Sequence, residues 1–471
     1  MTEKSFEWLP LDNAGKIFPG QNSEKWSNVF RMSVQLKEDI EPDTLKEALK
    51  RTLDRIPSFK VRLRKSLFAD YFERNEKECP VRHDVKNFCY RINFKENNGY
   101  LFRIFYHKSR ISIDVYHALC DGYGASVFLC TLAGEYLRLR GYDISHAPSV
   151  LDVNEKAKAE EYADPYELYA TSDKTCKLLE TPAYHKKGTA LPAHMSHYTT
   201  VLMSFSELHA LSKSYSVTVT ELLAAILADI HYRKQLSECK RQKDVSVQIP
   251  VNLRKAFPTV SLRNFVICLT VKISPRKKEY SFDEIVRAVS EQLRAANNRD
   301  FLHAYITQTV KLQTVLLRFV PLIIKNTAVK VSFFFGAEYS TSALLSNLGP
   351  VSVPEEMKEH IESFSFFTGP GLVNGCRCGA ASVADRFAFT FSNRYEESDI
   401  EREFIKKLTD MGIRVALETN RSEFLSSPQL IPLADTEACS DEVFIPSAED
   451  RADFGKSPLG TKEKIRRFFI S

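Results

Sequence analysis

The residues of this chain best suited to do chemistry are a histidine, an aspartate and a glycine spaced His-x-x-x-Asp-Gly, at His117, Asp121 and Gly122. A neutral imidazole, with an ordinary pKa of about 6.5, can accept a proton near neutral pH and so act as a general base. The stretch that carries it runs ISIDVYHALCDGYG from Ile111 to Gly124. It opens with apolar residues alternating at Ile111, Ile113 and Val115, and that period of two predicts a half-buried strand. An amphipathic segment follows through Arg140, with Gly141 as its stop, and predicts a helix. His117 is therefore expected where a strand turns toward a helix N-terminus, a place that favours developing negative charge. Cys120, inside the same turn, reads as a small packing residue rather than a nucleophile.

Three fixed positions alone also describe an ordinary turn histidine. In this setting, however, the pattern resembles the active-site signature of the chloramphenicol acetyltransferase-like superfamily. That group includes CoA-dependent alcohol acyltransferases, peptide-synthetase condensation domains, plant acyltransferases and wax-ester synthases. Many relatives carry two adjacent histidines, the second of them catalytic; here Tyr116 precedes His117, so the catalytic position is kept. Later stretches match in the family's order. Arg254, in Pro250-Val251-Asn252-Leu253-Arg254, stands at a place similar to the arginine that pairs with the motif aspartate in condensation domains. Asn264-Phe265 resembles the pair that opens the next strand, and Ser346-Asn347-Leu348-Gly349-Pro350 is similar to the Ser-Asn motif of wax-ester synthases and alcohol acetyltransferases. The matches run through about residue 418 and are closest to bacterial proteins described as alcohol acetyltransferases. The chain departs from the plant branch, which carries an Asp-Phe-Gly-Trp-Gly motif, since its tryptophans are Trp8 and Trp26. No carrier-protein or adenylation domain accompanies it, so a free-standing enzyme is expected.

The resemblance implies direct transfer of an acyl group, with acetyl favoured, from a CoA thioester to an alcohol or amine acceptor, without an acyl-enzyme. Acyl-CoA is then a co-substrate, no cofactor is bound, and the site lies in a tunnel between two lobes. In that reading His117 is the base, and Asp121 holds its loop by pairing with Arg254. Gly122 allows close backbone approach or an unusual backbone angle. Ser346, Asn347 and Asn264 are candidates to donate to the oxyanion or to touch substrate. Two other readings remain: condensation from a carrier-protein thioester, and an inactive binding protein of the same fold, for which Tyr116 at the first histidine position is the argument.

The remaining composition sets bounds. A length of 471 residues suits two lobes, and a net charge of +5 singles out neither nucleic acid nor an anionic membrane as partner. Ten cysteines are scattered, and Cys376 with Cys378 lacks a second pair, so no metal site and no disulfide framework is expected. The opening MTEKSFEWLP has no apolar core of a signal peptide, and a cytoplasmic location is expected. Val315 to Phe335 is long enough to span a bilayer, but Arg318, Lys325, Lys330 and Pro321 interrupt it. A buried or amphipathic helix is expected there, with a position on a membrane surface as the lesser alternative.

The elements that must position these residues give an α+β chain. An N-terminal lobe is expected over 1–144, a connection over 145–197, a C-terminal lobe over 198–420 and a polar tail over 421–471. In the first lobe, strands are expected at 30–36, 60–64, 69–74, 90–94 and 101–107, with helices at 43–55 and 123–140 covering one face. The turn Glu96-Asn97-Asn98-Gly99 is a hairpin signal, which makes the motif strand central among its own hairpin partners. In the second lobe, Ser206 is expected to cap a short helix, and Thr218-Val219-Thr220-Glu221 is a capping box. Strands at 198–205, 245–254, 266–273, 342–350, 361–367, 376–383, 386–393 and 413–418 are expected to share one sheet, with helices at 282–298, 301–317 and 399–412.

Overall fold

Alternating apolar residues from Phe30 to Leu36 and from Ile111 to Val115 pair as neighbouring antiparallel strands, and the first lobe is built on that pair. The computed structural model describes residues 6–421, apart from 172–180, 193–194, 276–278 and 318–319. In chain order, β1 (Trp8–Pro10) and β2 (Val29–Leu36) precede α1 (Pro42–Arg55). Proline at the start of α1 fits the helix's unpaired first N–H, and Leu45, Ala48, Leu49, Thr52 and Leu53 form its buried stripe. Next come β3 (Val61–Lys65), β4 (Asp70–Arg74), β5 (Val81–His83), β6 (Phe102–His107), β7 (Arg110–Tyr116) and α2 (Gly122–Leu139). The connection holds the short α3 (Pro165–Tyr169).

The second half begins with β8 (His197–Ser204), α4 (Phe205–Ser214) and α5 (Val219–Glu238). α5 starts at the expected capping box and is buried nearly all round from Leu222 to Ala228, as a core helix must be. It is followed by β9 (Val245–Asn252), β10 (Val266–Ile273), α6 (Phe282–Ala296), α7 (Arg299–Leu317) and α8 (Leu322–Phe333). The described chain finishes with β11 (Ala343–Pro350), α9 (Glu355–Lys358), β12 (Ile361–Phe367), β13 (Cys376–Val383), β14 (Arg386–Asn393), α10 (Asp399–Asp410) and β15 (Ala416–Thr419).

Two mixed sheets result. One has the order β12-β2-β7-β6-β5, the other β10-β9-β11-β13-β14-β8-β15; β1, β4 and β3 form a separate small sheet. Each large sheet has its own apolar core.

Several expectations are corrected here. Residues 361–367 do form a strand, but β12 joins the first-lobe sheet, antiparallel to β2. It crosses the second sheet as it does so, and the Phe366 carbonyl accepts from the Thr390 hydroxyl on β14. Local pattern predicts a strand but not its neighbour, because pairing is a long-range choice. The motif strand β7 accordingly has one hairpin partner, β6, and one distant partner, β2.

No strand forms at 90–94; Cys89 adopts φ 56°, which breaks the extended chain, and β5 takes the sheet edge instead, parallel to β6. The Asn98-Gly99 signal still marks a turn, with φ of 51° and 91°. The cap of α4 is Ser204, whose hydroxyl accepts from the Glu207 N–H, and not Ser206. The apolar stretch around 322–335 is helical but not buried, with Ile323, Ile324, Val331 and Phe335 exposed. The polar tail expected over 421–471 lies outside the described residues beyond Arg421.

Candidate active site

β7 ends at Tyr116 and α2 begins at Gly122, so the intervening turn carries His117 where a strand runs into a helix N-terminus. The His117 N–H donates to the Asn28 carbonyl at 2.9 Å, tying the turn to the start of β2. Its imidazole stacks on Phe18 at 4.5 Å between centroids and meets the edge of Phe30 at 5.1 Å. Burial in this aromatic setting lowers the His117 pKa below its usual value; Asp121, Asn264 and Asp12 oppose the shift without reversing it. The ring is therefore neutral at pH 7.

Which nitrogen carries the proton follows from the partners. His117 Nδ1 lies 3.1 Å from Asn264 Oδ1, while Asn264 Nδ2 lies 3.1 Å from Asp12 Oδ2. Asp12 is fully buried and also receives Gly15 N–H at 2.6 Å and Arg263 Nε at 3.1 Å. A carboxylate paired with arginine only accepts, so the amide nitrogen must face Asp12 and the amide oxygen must face His117. Nδ1 then donates to Asn264, and Nε2 keeps its lone pair. That is the tautomer a base requires.

Asp121 caps α2, with Oδ1 accepting from the Gly124 N–H at 3.0 Å. Its other oxygen accepts from Arg254 Nη1 at 2.7 Å and from the Phe265 N–H at 2.8 Å. Arg254 donates in addition to the Ser261 carbonyl at 2.8 Å and the Arg263 carbonyl at 2.6 Å, and lies over the Tyr123 ring at 4.3 Å. The expected Asp121–Arg254 pair thus joins the motif turn to the 253–265 loop, and the loop in turn brings Asn264 to His117. Asp121 directs no oxygen at the imidazole.

Gly122 meets Leu348, since a β-carbon there would lie 2.6 Å from Leu348 Cδ2, and the close approach read from the sequence is made by a side chain. At Gly124, one turn into α2, a β-carbon would collide with the Leu262 carbonyl oxygen. A leucine methyl can swing aside and a backbone carbonyl cannot. Gly124→Ala is therefore expected to cost about 1–3 kcal/mol, and Gly122→Ala clearly less, as read from urea unfolding midpoints of the two variants.

The Ser-Asn segment divides between the lobes. Leu345 lies in the second core, and Asn347 Nδ2 donates to Thr220 Oγ1 at 2.9 Å, so both face α5. Asn347 Oδ1 receives the Gly349 N–H at 2.9 Å, which commits this amide to its own turn. Ser346 alternates to the opposite side, the side on which Leu348 packs against the first core, and its hydroxyl makes no hydrogen bond to a described residue. Asn264 is likewise committed, to His117 and Asp12. Of the three oxyanion candidates, Ser346 is the one whose side chain makes no hydrogen bond to a described residue, while Asn264 and Asn347 are each held at both ends of the amide.

Cys120 is fully buried, and burial pushes its thiol pKa well above the usual value, which leaves it inert as a nucleophile. Among the described residues no cluster of histidine, cysteine or carboxylate side chains could hold a metal ion. Sequence reading missed Asp12 and Phe18. A lone aspartate and a lone phenylalanine in an irregular opening segment carry no spacing signal, and only the folded chain brings them under His117.

No family profile and no curated protein sequence matches the chain. Solved structures do. TRI101 of Fusarium sporotrichioides, solved with coenzyme A and T-2, superposes with a TM-score of 0.59 at 13% identity, covering 88% of this chain and 100% of that one. TRI3 trichothecene 15-O-acetyltransferase of the same organism gives 0.56 at 12% identity, over 87% of this chain and 95% of that one. Polyketide synthase associated protein 5 of Mycobacterium tuberculosis gives 0.54 at 15%, over 85% and 96%. The nonribosomal peptide synthetase FmoA3 gives 0.53 at 11%, over 87% of this chain and 45% of that one. The chain therefore shares the two-lobe α+β fold of these structures over most of its length.

Proposed function

We propose that this protein transfers an acyl group, acetyl in the first instance, from a CoA thioester to an alcohol or amine acceptor. The observation that carries the proposal is the Asp12–Asn264–His117 chain, which leaves a neutral imidazole with Nε2 free to take the acceptor's proton. His117 is the base, and deprotonating the acceptor lets its oxygen or nitrogen attack the thioester carbonyl directly. Ser346 is the candidate donor to the oxyanion, a role worth about 3–4 kcal/mol where one such donor is lost. Asn264 and Asp12 position the base, while Asp121, Gly122 and Arg254 hold the turn. Neighbours of the same fold support a CoA donor, since TRI101 was solved with coenzyme A.

The test is free-thiol release from acetyl-CoA and longer acyl-CoAs across a panel of alcohols and amines, comparing wild type with His117→Ala. Release that needs both acceptor and His117 supports the proposal. CoA turnover that is equal in the variant sinks His117 as base. The likeness to FmoA3 favours, as the second reading, a carrier-protein thioester as donor. Transfer from an acylated carrier protein with none from acyl-CoA would select it.

The pH dependence follows from the lowered imidazole pKa. The acid limb of kcat/KM is expected below the ordinary histidine value of about 6.5, because the base must lose its proton to act. Stability moves in the same direction for a different reason. His117, His185 and His231 are all lowered by burial, so the unfolded chain binds more protons and stability falls as pH drops below about 6.5. A kcat/KM profile taken at a temperature well below the melt at every pH separates the two, and an acid limb at or above the ordinary value would contradict the assignment.

A further inference from the structure

Six of the thirteen exposed large apolar side chains among the described residues lie on two segments joined by hydrogen bonds. On α8 and the turn after it these are Ile323 (82% exposed), Ile324 (59%), Val331 (52%) and Phe335 (59%). At the tip of the β3–β4 hairpin they are Leu67 (69%) and Phe68 (47%). The Leu322 N–H donates to the Leu67 carbonyl at 3.0 Å, and Lys325 Nζ donates to the Phe68 carbonyl at 2.9 Å. Clustering of this kind distinguishes an interaction surface from scattered exposed residues.

The helix has a definite inner side. Asn326 packs against Gly20, and Phe333 packs against Trp26 at 5.3 Å, so the opposite side, carrying Ile324, Val331 and Phe335, turns outward. Lys325 and Lys330 border that apolar stripe, and Lys65 precedes the hairpin tip. No aspartate or glutamate occurs from 301 to 337, whereas Lys311, Arg318, Lys325 and Lys330 do. At the hairpin tip Lys65 is opposed by Asp70 across the strand pair, but the outward stripe of α8 is edged by cations alone. That suits the boundary between anionic headgroups and acyl chains, where lysine stems lie along the apolar layer and ammonium groups reach phosphate. A second copy of the chain suits it less. A symmetric contact would bring like-charged lysines together, with no acid on the helix to pair them. No helix among the described residues is long and apolar enough to cross a membrane.

We propose that α8 and the β3–β4 hairpin tip form a docking face for an anionic lipid bilayer. The face is distinct from the residues assigned to acyl transfer, and its test does not depend on that reading. The full-length protein is sedimented with vesicles of phosphatidylcholine alone and of phosphatidylcholine with phosphatidylglycerol, at low and high salt. Wild type is expected to bind the anionic vesicles, less so at high salt, and Ile323→Glu with Ile324→Glu to lower the bound fraction by about tenfold or more. Far-UV circular dichroism melts of the double variant establish that it is folded. A second variant, Phe335→Trp, is expected to show a blue-shifted tryptophan emission on adding anionic vesicles. Wild-type binding no greater than in a vesicle-free control overturns the proposal, as does equal binding by the folded double variant or an unshifted Phe335→Trp emission. A concentration-dependent dimer in sedimentation velocity that the double variant abolishes would overturn it too, and would assign the face to a second copy.

Discussion

Replacing His117 with alanine is expected to lower kcat for acyl transfer by about 10²–10⁴-fold while the protein stays folded. The magnitude is that of a positioned base, and the geometry says why it should reach that range. An imidazole free to rotate would present either nitrogen, but Asp12 and Asn264 fix Nδ1 as the donor and leave Nε2 for the proposed acceptor. The aromatic packing by Phe18 and Phe30 keeps the ring neutral and holds its plane. The measurement is thiol release at saturating acyl-CoA, set beside a thermal melt. An unchanged melt with a large fall in kcat assigns chemistry to the side chain, whereas a fall of only a few-fold would leave His117 as a turn residue. Asn264→Leu supplies a second readout. It keeps the base but removes the group that selects its tautomer, so kcat should fall with little change in KM for acyl-CoA.

Much of this site could be read from the chain before folding. The strand, turn and helix around His117 are local features, and period-two alternation followed by an amphipathic run predicts them correctly. The Asp121–Arg254 pair was legible only through resemblance, since 133 residues separate the partners and no local pattern links them. Asp12 was not legible at all. Its role arises from the opening segment folding under the motif turn while the 253–265 loop arrives from the other lobe, and neither event leaves a mark at Asp12 itself. The resemblance makes Asn264 a candidate for the oxyanion or for substrate, and in the structure its amide bridges Asp12 and His117. The motif marks the residue, but which neighbours it bonds is decided by tertiary packing that the sequence does not display. The displaced strand β12 shows the same limit at the level of the sheet. Its alternation is plain, but its choice of β2 over the second-lobe strands is settled by tertiary packing.

Replacing Arg254 with methionine is expected to destabilise the fold by about 3–5 kcal/mol, the range for removing one partner of a buried ion pair. Arg254 and Asp121 are both buried and meet at 2.7 Å, so the substitution leaves the Asp121 carboxylate without its counter-charge. It also strips the Ser261 and Arg263 carbonyls of the guanidinium that satisfies both. Lysine should not restore this, because a single ammonium cannot reach three acceptors arranged for a planar fork. Urea unfolding is the measurement, and Asp121→Asn combined with Arg254→Met provides the control. Removing both charges should recover part of the loss, and that coupling separates an orphaned charge from a simple packing defect. Activity should fall along with stability, for a reason the geometry makes specific. Arg254 holds the backbone at Arg263, the residue before Asn264, and a loosened loop releases the amide that orients His117. A loss below about 1 kcal/mol would mean that the two lobes meet here without depending on the pair. A stable Arg254→Met protein with normal kcat would remove this pair from the positioning of the base altogether.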